Sequence, residues 1–421
     1  MNVRRRSSAA ALAAIAVIGA AAAPAVAADP SSSPSASAPA KSGSTGLYGT
    51  ADPQYDGVWR QSLALLAQDT VGVVPSPKAV DWLTGQQCDS GAFAPFRADP
   101  AKACDAKTMV DTNSTAAAVQ ALWAVGRGDV VDSALKWLKS VQNEDGGWGY
   151  TPGGPSDANS TSVVIGALSA TETDPEKVVK DGKSPYDALL TFALPCAEDE
   201  GAGAFAFQPD KDGKLLANAD ATAAGVLGAL GKGLVTEAGT ESAAATCADA
   251  KKPTREQAAA NGAAHLAAVV AEKGHLTSAL GGSADQPDYG NTADAVVALA
   301  AQGGADKAAK PLAWLEKNAA TWAAQSGPAA YAQLIFAAHA TGTDPRAFGG
   351  TDLVAALNAT GPGPQGGKVS DSATTGDEDG AKENDEKDDS GFGVWWFVGV
   401  CLVFGIGVGF LLSGRNKKRQ P

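Results

Sequence analysis

Residues 137–148 read WLKSVQNEDGGW, and residues 82–93 read WLTGQQCDSGAF. Laid over one another at an offset of 55 residues, the two agree at Trp-Leu (137–138 and 82–83), at Gln142 and Gln87, at Gly146 and Gly91, and in an aromatic ring at Trp148 and Phe93. A pattern returning at this period marks stacked helical repeats, whose units cannot bury their apolar faces alone. His265-Leu266 with Gly274 and Leu276 keeps the same offsets without the glutamine. Cys196 takes the place of Cys88 in a further copy whose loop gains four residues before Phe205, and Trp314-Leu315 opens a degenerate one.

Helical stretches alternate in character around these landmarks. One set is nearly free of charge: the segment around Trp59 to Ala67, then Thr112–Gly126, Asn159–Thr171, Ala221–Gly231, Thr292–Gly303 and Ala329–Thr341. A helix that is apolar all round has to be surrounded by protein, which places this set in an inner layer. The other set is amphipathic: Lys78–Gln86, Asp129–Gln142, Pro175–Leu194, Arg255–Glu272, Asp306–Asn318 and Thr351–Ala359. In Asp129–Gln142, Val130, Val131, Ala134, Leu135, Leu138 and Val141 fall at helical spacing, with Asp132, Lys136 and Lys139 elsewhere on the wheel. Six inner and six outer helices in alternation predict an all-α, α6/α6 toroid. An open solenoid is the alternative, and closure is favoured because it removes the need for polar end caps.

The flanks point to an exported, membrane-held chain. Arg4, Arg5 and Arg6 precede an apolar run and small residues, the layout of a signal peptide over residues 1–28. Phe392–Leu412 is uncharged and long enough to cross a bilayer, giving a transmembrane helix over residues 391–413. The basic tail, residues 414–421, marks the cytoplasmic side, so the toroid is expected outside the cell. A Ser/Pro/Ala linker (29–50) and an acidic linker (362–390) flank an ordered body over 51–361. The net charge of −13 argues against nucleic acid as a partner. Four cysteines fall in the exported body, which predicts two disulfides; of three pairings, the local one, Cys88–Cys104 with Cys196–Cys247, is expected.

The Trp-Leu, Gln, Gly and aromatic positions resemble the repeat of the terpenoid cyclase and protein prenyltransferase superfamily, known in squalene cyclases as the QW motif. That resemblance implies an α/α toroid. The superfamily's catalytic sets do not carry over: residues 51–361 hold no DxDD acid motif and no Cys-Gly-Glu-Gln thioester sequence. Neither does a zinc set of Asp, Cys and His stand out for a prenyltransferase. The secreted vitamin B12 carriers of the transcobalamin and intrinsic factor type share the ring without catalytic machinery, and the resemblance extends in spirit to them.

Four inner helices open on similar polar runs: Asp111-Thr-Asn113-Ser114-Thr115, Asp157-Ala-Asn159-Ser160-Thr161, Asn218-Ala-Asp220-Ala-Thr222, and Asp288 with Asn291-Thr292. Such side chains satisfy the free amides of a first helical turn. Because inner-helix starts converge on one mouth of a toroid, they also form a candidate rim for a ligand rich in amides or hydroxyls. Phe96, Tyr150 and Phe207 are candidate cleft aromatics, whereas Phe93, Trp148 and Phe205 read as core; Trp123 and Tyr331 are placed to face a lumen. His339 is the histidine of an inner helix and the one candidate for ligating a metal such as the cobalt of a corrinoid.

These readings converge on a membrane-anchored extracellular protein that captures a small-molecule ligand, with a corrinoid such as cobalamin as one guest. A transporter, or a separate β-domain protein closing over the guest, are its expected partners. Two alternatives stay open. One is a surface α6/α6 enzyme acting on glycans or isoprenoids, with Asp111, Asp157 and Asp288 as its carboxylates; the other is a cell-envelope interaction scaffold.

Overall fold

The computed structural model describes residues 45–197, 201–240, 247–249, 253–278 and 286–366. Among these, the odd-numbered helices are α1 (Gly57–Thr70), α3 (Thr112–Ala124), α5 (Ala158–Ala170), α7 (Ala219–Ala229), α9 (Tyr289–Gly303) and α11 (Pro328–Thr341). Each packs against the next, and α11 returns to α1, so the six close a ring. The even-numbered helices lie on the outside of it: α2 (Pro77–Gly85), α4 (Gly128–Ser140), α6 (Pro185–Leu190), α8 (Arg255–Val270), α10 (Ala305–Ser326) and α12 (Leu353–Ala359). The α/α toroid expected from the repeat is therefore present in the described residues.

Small residues let the inner helices approach. A Cβ added at Gly228 of α7 would stand 2.5 Å from the Ser162 hydroxyl of α5, and one at Gly225 would stand 2.6 Å from the Phe205 ring. The repeat residues tie each unit to its successor. The Gln142 amide donates to the carbonyls of Gly146 (2.8 Å) and Val178 (3.0 Å). Gln87 does the same for Gly91 and Val130, both at 3.0 Å. Gly146, at φ +89°, leaves no room for a side chain, since its Cβ would meet the Ser184 carbonyl at 2.3 Å. The motif aromatic is buried, and its backbone N–H donates to a threonine hydroxyl one turn into the next inner helix: Phe93 to Thr115, Trp148 to Thr161, Phe205 to Thr222. Leu276, in the degenerate copy, donates likewise to Thr292.

Both expected disulfides, Cys88–Cys104 and Cys196–Cys247, are formed. Four features depart from the sequence reading. The outer helix expected over Pro175–Leu194 is a single 3-10 turn at Pro175–Lys177 and the short α6. Asp181 and Gly182 take positive φ, and the Ser184–Asp187 capping box with Pro185 restarts the helix. In contrast, α10 runs past Asn318 to Ser326, because no residue between them disfavours a helix until Gly327-Pro328. A two-stranded antiparallel pair, Leu276–Thr277 with Pro287–Asp288, interrupts the all-α pattern.

The fourth departure lies at the seam. Residues 45–50 fall in the expected Ser/Pro/Ala linker, yet Tyr48 is wholly buried, donating its hydroxyl to Gln68 Oε1 and the Pro362 carbonyl, both at 3.1 Å. Gly49 N–H donates to the Thr360 carbonyl at 2.8 Å, so the two ends of the body clasp each other where α1 meets α11. Arg60, which breaks the charge-free pattern of the inner layer, holds this clasp: it pairs with Asp56 at 2.6 Å and donates to the Tyr48 and Ala51 carbonyls. Among the described residues no helix is long and apolar enough to cross a membrane. The expected signal peptide, transmembrane helix and cytoplasmic tail lie outside the described residues, as does the fifth cysteine of the sequence, Cys401, within that expected span.

Candidate functional site

A cavity of about 1170 Å³ lies within the ring of inner helices, reaching from their starts to Gln120, Gly166 and the Lys232–Leu234 segment that follows α7. Its wall draws on the first turns of α1, α3, α5, α7, α9 and α11, and on the segments around Gly49–Asp52 and Ala359–Thr360 that clasp the seam. The polar helix starts divide into two groups by register. The caps face backbone: the Asp111 and Asp157 carboxylates accept from the Ser114 and Ser160 amides, both at 2.6 Å. Asn218 and Asp288 accept from the amides of Ala221 (2.8 Å) and Asn291 (3.0 Å). Two residues beyond three of these caps, Asn113, Asn159 and Asp220 turn to the cavity, and Asp288 and Asn291 join them from α9. Asp111, Ser114, Asp157, Ser160 and Asn218 are not part of its wall.

Burial marks these carboxyls electrically. Desolvation raises Asp111 to about 7 and Asp157 to about 6, against the hydrogen bonds each accepts from its own helix start. In the cavity, burial raises Asp220 to about 6, and the neighbouring charge of Asp288 adds to it. Asp220 accepts a hydrogen bond from Asn159 Nδ2 at 2.5 Å. Asp288 is raised as well, chiefly by burial.

The most perturbed wall residue escaped the sequence reading. Asp294, in the second turn of α9, is raised to about 7 by burial and then by the charges of Asp220 and Asp288. Both its oxygens receive Gln333 Nε2 of α11 at 3.2 Å. The available signal was a lone carboxylate inside an otherwise charge-free inner helix, the residue type that such a helix buries only with a purpose. Trp322 escaped too, because it lies on the part of α10 not foreseen. It stacks on Tyr289 at 5.4 Å and 12° between planes, and both line the cavity with Trp59 and Phe336.

The expected cleft aromatics lie elsewhere. Phe96 stacks on Trp82 of the outer helix α2 at 6.4 Å. Phe207 packs on the core, and its carbonyl accepts from Ala158 N–H at 3.0 Å. Burial, and then the charge of nearby Asp111, pushes the Tyr150 phenol up. Trp123 is 41% exposed and, like Tyr331, is not part of the cavity wall. His339 lies near the C-terminal end of α11, in a shallow depression with Val71 and Arg346, away from the cavity. Among the described residues no histidine lines the cavity, and no group of three or more His, Cys, Asp or Glu is placed to hold a metal ion.

No protein-family model and no curated relative matches this sequence. Among the solved structures similar to it are three at 12% to 17% identity. A protein from Actinoplanes is 17% identical with a TM-score of 0.42, over 65% of this chain and 75% of that one. The ent-copalyl diphosphate synthase from Streptomyces platensis is 15% identical with a TM-score of 0.44, over 68% of this chain and 50% of that one. The type II terpene cyclase MstE from Scytonema is 12% identical with a TM-score of 0.41, over 65% and 74%. The chain thus spans half the length of the Streptomyces synthase. The ring itself rests on the helix contacts described above.

Proposed function

We propose that this protein is a capture module, which holds a small-molecule guest in the mouth of the helical ring. The observation that carries the reading is the cavity of about 1170 Å³, walled by aromatic faces and by carboxylate and amide groups converging from the inner-helix starts. Its volume suits a drug-sized or somewhat larger guest, and sites of this kind combine an apolar body with a few placed polar groups. Lumen acceptors such as Asp220 and Asp294 suit a guest that presents N–H donors. A corrinoid, whose periphery carries primary amides, is one such guest, held in that case without a cobalt-ligating histidine from the wall. Export, anchoring by the C-terminal apolar segment, and delivery to a transporter or a closing β-domain partner belong to the same proposal, supported by the leader-like and span-like sequences at the two ends.

Isothermal titration of the full-length protein with cobalamin and cobinamide tests the corrinoid form: saturable heat supports it and no heat removes it. A second reading is favoured by one observation, the elevation of Asp220 to about 6 and Asp294 to about 7, within reach of general-acid work at neutral pH. On this reading the protein turns over a glycan or isoprenoid. It requires activity that disappears in Asp294→Asn, whereas capture requires binding without turnover.

A further inference from the structure

Three lumen carboxylates stand without a cation among the described residues. Asp220 on α7, Asp288 at the cap of α9 and Asp294 on α9 line the same cavity, where the charge of Asp288 reaches Asp220 and the charges of both reach Asp294. Of the two cationic side chains at the wall, Arg60 is engaged by Asp56 and backbone carbonyls, and Lys232 follows the far end of α7, a helix length from Asp220. Buried charge of one sign is costly unless an opposite charge or a proton offsets it. No described residue supplies that opposite charge here. A metal ion is poorly suited, since these carboxylates are not grouped as ligands. An anion would be repelled.

An aromatic face adjoins the same corner. A Cβ placed on Gly290 would lie 3.5 Å from Gln333 Oε1 and 3.8 Å from Trp322 Cζ2, so the amide that holds Asp294 and the Trp322 ring come up against the same point of the cavity wall. Tyr289, also part of the wall, stacks on that ring. An ammonium group between carboxylates and an aromatic face gains from both, by charge pairing and by the ring quadrupole. Together these features call for a guest with a positive head and an apolar body.

We propose that the lumen takes a cationic amphiphile, an organic molecule whose protonated amine lies among Asp220, Asp288 and Asp294 and whose apolar body rests on Trp322. This rests on the capture reading and names its ligand class. The test uses the full-length protein and three fluorescent probes of one skeleton in physiological salt: 1-pyrenemethylammonium, 1-pyrenemethanol and 1-pyrenecarboxylate. The amine is expected to bind roughly tenfold or more tighter than the alcohol, and the carboxylate weakest. Asp220→Asn and Asp294→Asn, which keep the side-chain oxygen that accepts from Asn159 or Gln333, are each expected to remove most of the preference while leaving alcohol binding within about twofold. Trp322→Leu is expected to weaken amine and alcohol alike. An amine preference that survives in the Asp220→Asn/Asp294→Asn double variant places the cation elsewhere and overturns the inference. Equal uptake of all three probes also overturns it, while capture stands; uptake of none contradicts both.

Discussion

Replacing Asp294 by Asn should make the guest-free protein more stable at neutral pH, because the native carboxyl is held there against its own charge. Burial and the charges of Asp220 and Asp288 raise it from 3.8 to about 7. Between those values the folded state keeps a proton that the unfolded chain releases, so wild-type stability falls as pH rises from about 4 to about 7 and is level beyond. At about 1.4 kcal/mol per pH unit, the interval amounts to about 4 kcal/mol, which water in a half-open lumen reduces to about 2 kcal/mol. Asparagine keeps the oxygen that accepts from Gln333 and removes the charge. Chemical denaturation of both proteins at pH 4.5 and pH 8 is the assay. The variant should exceed wild type by about 2 kcal/mol at pH 8 and by little at pH 4.5. A variant less stable than wild type at pH 8, or an equal difference at both pH values, would refute the reasoning.

Three further expectations concern the frame that holds the cavity. Gln142→Ala leaves the Gly146 and Val178 carbonyls without their shared donor and should cost about 2 kcal/mol in denaturant melts, with the local loss seen as faster amide exchange around α6. Gly146→Ala forces a Cβ to within 2.3 Å of the Ser184 carbonyl at φ +89° and should cost about 3 kcal/mol or more, whereas Gly153→Ala, at φ +75° in open space, should cost about 1 kcal/mol; equal melting temperatures would contradict the packing described. Removing the Cys196–Cys247 bridge frees a separation of 51 residues and should cost about 4 kcal/mol, against about 3 kcal/mol for Cys88–Cys104 with its separation of 16, read from melts of the paired serine variants.

Much of the frame was legible because its signals are local. The Trp-Leu, Gln, Gly and aromatic positions state the repeat, and each has its own role in the ring. Gln142 and Gly146 bind one outer unit to the next, and Trp148 pins the following inner helix through Thr161. The polar starts at Asp111, Asp157, Asn218 and Asp288 mark the beginnings of four inner helices to within a few residues, since capping chemistry acts at a fixed offset. The outer layer was harder. Apolar periodicity over Pro175–Leu194 reads as one helix, while Asp181-Gly182 and Ser184-Pro185 carry a turn and a restart that outweigh it. Register decided the rim: caps were visible, but which of cap and cap-plus-two reaches the lumen depends on how the helices rotate in the ring; Asn113, Asn159 and Asp220 reach it at cap-plus-two, and Asp288 at the cap. Asp294 and Trp322 come together only through packing of α9 against α10 and α11, which no single stretch of chain encodes.

The central claim is that the ring is hollow in order to be filled. Native mass spectrometry of the full-length protein, purified under mild conditions from the cells that make it, addresses this directly. The expected result is a population heavier than the bare chain by the mass of one small molecule, released on unfolding, and lost or strongly reduced in Asp220→Asn/Asp294→Asn. A bare-chain mass throughout, unchanged after incubation with the amine probe, would contradict the claim.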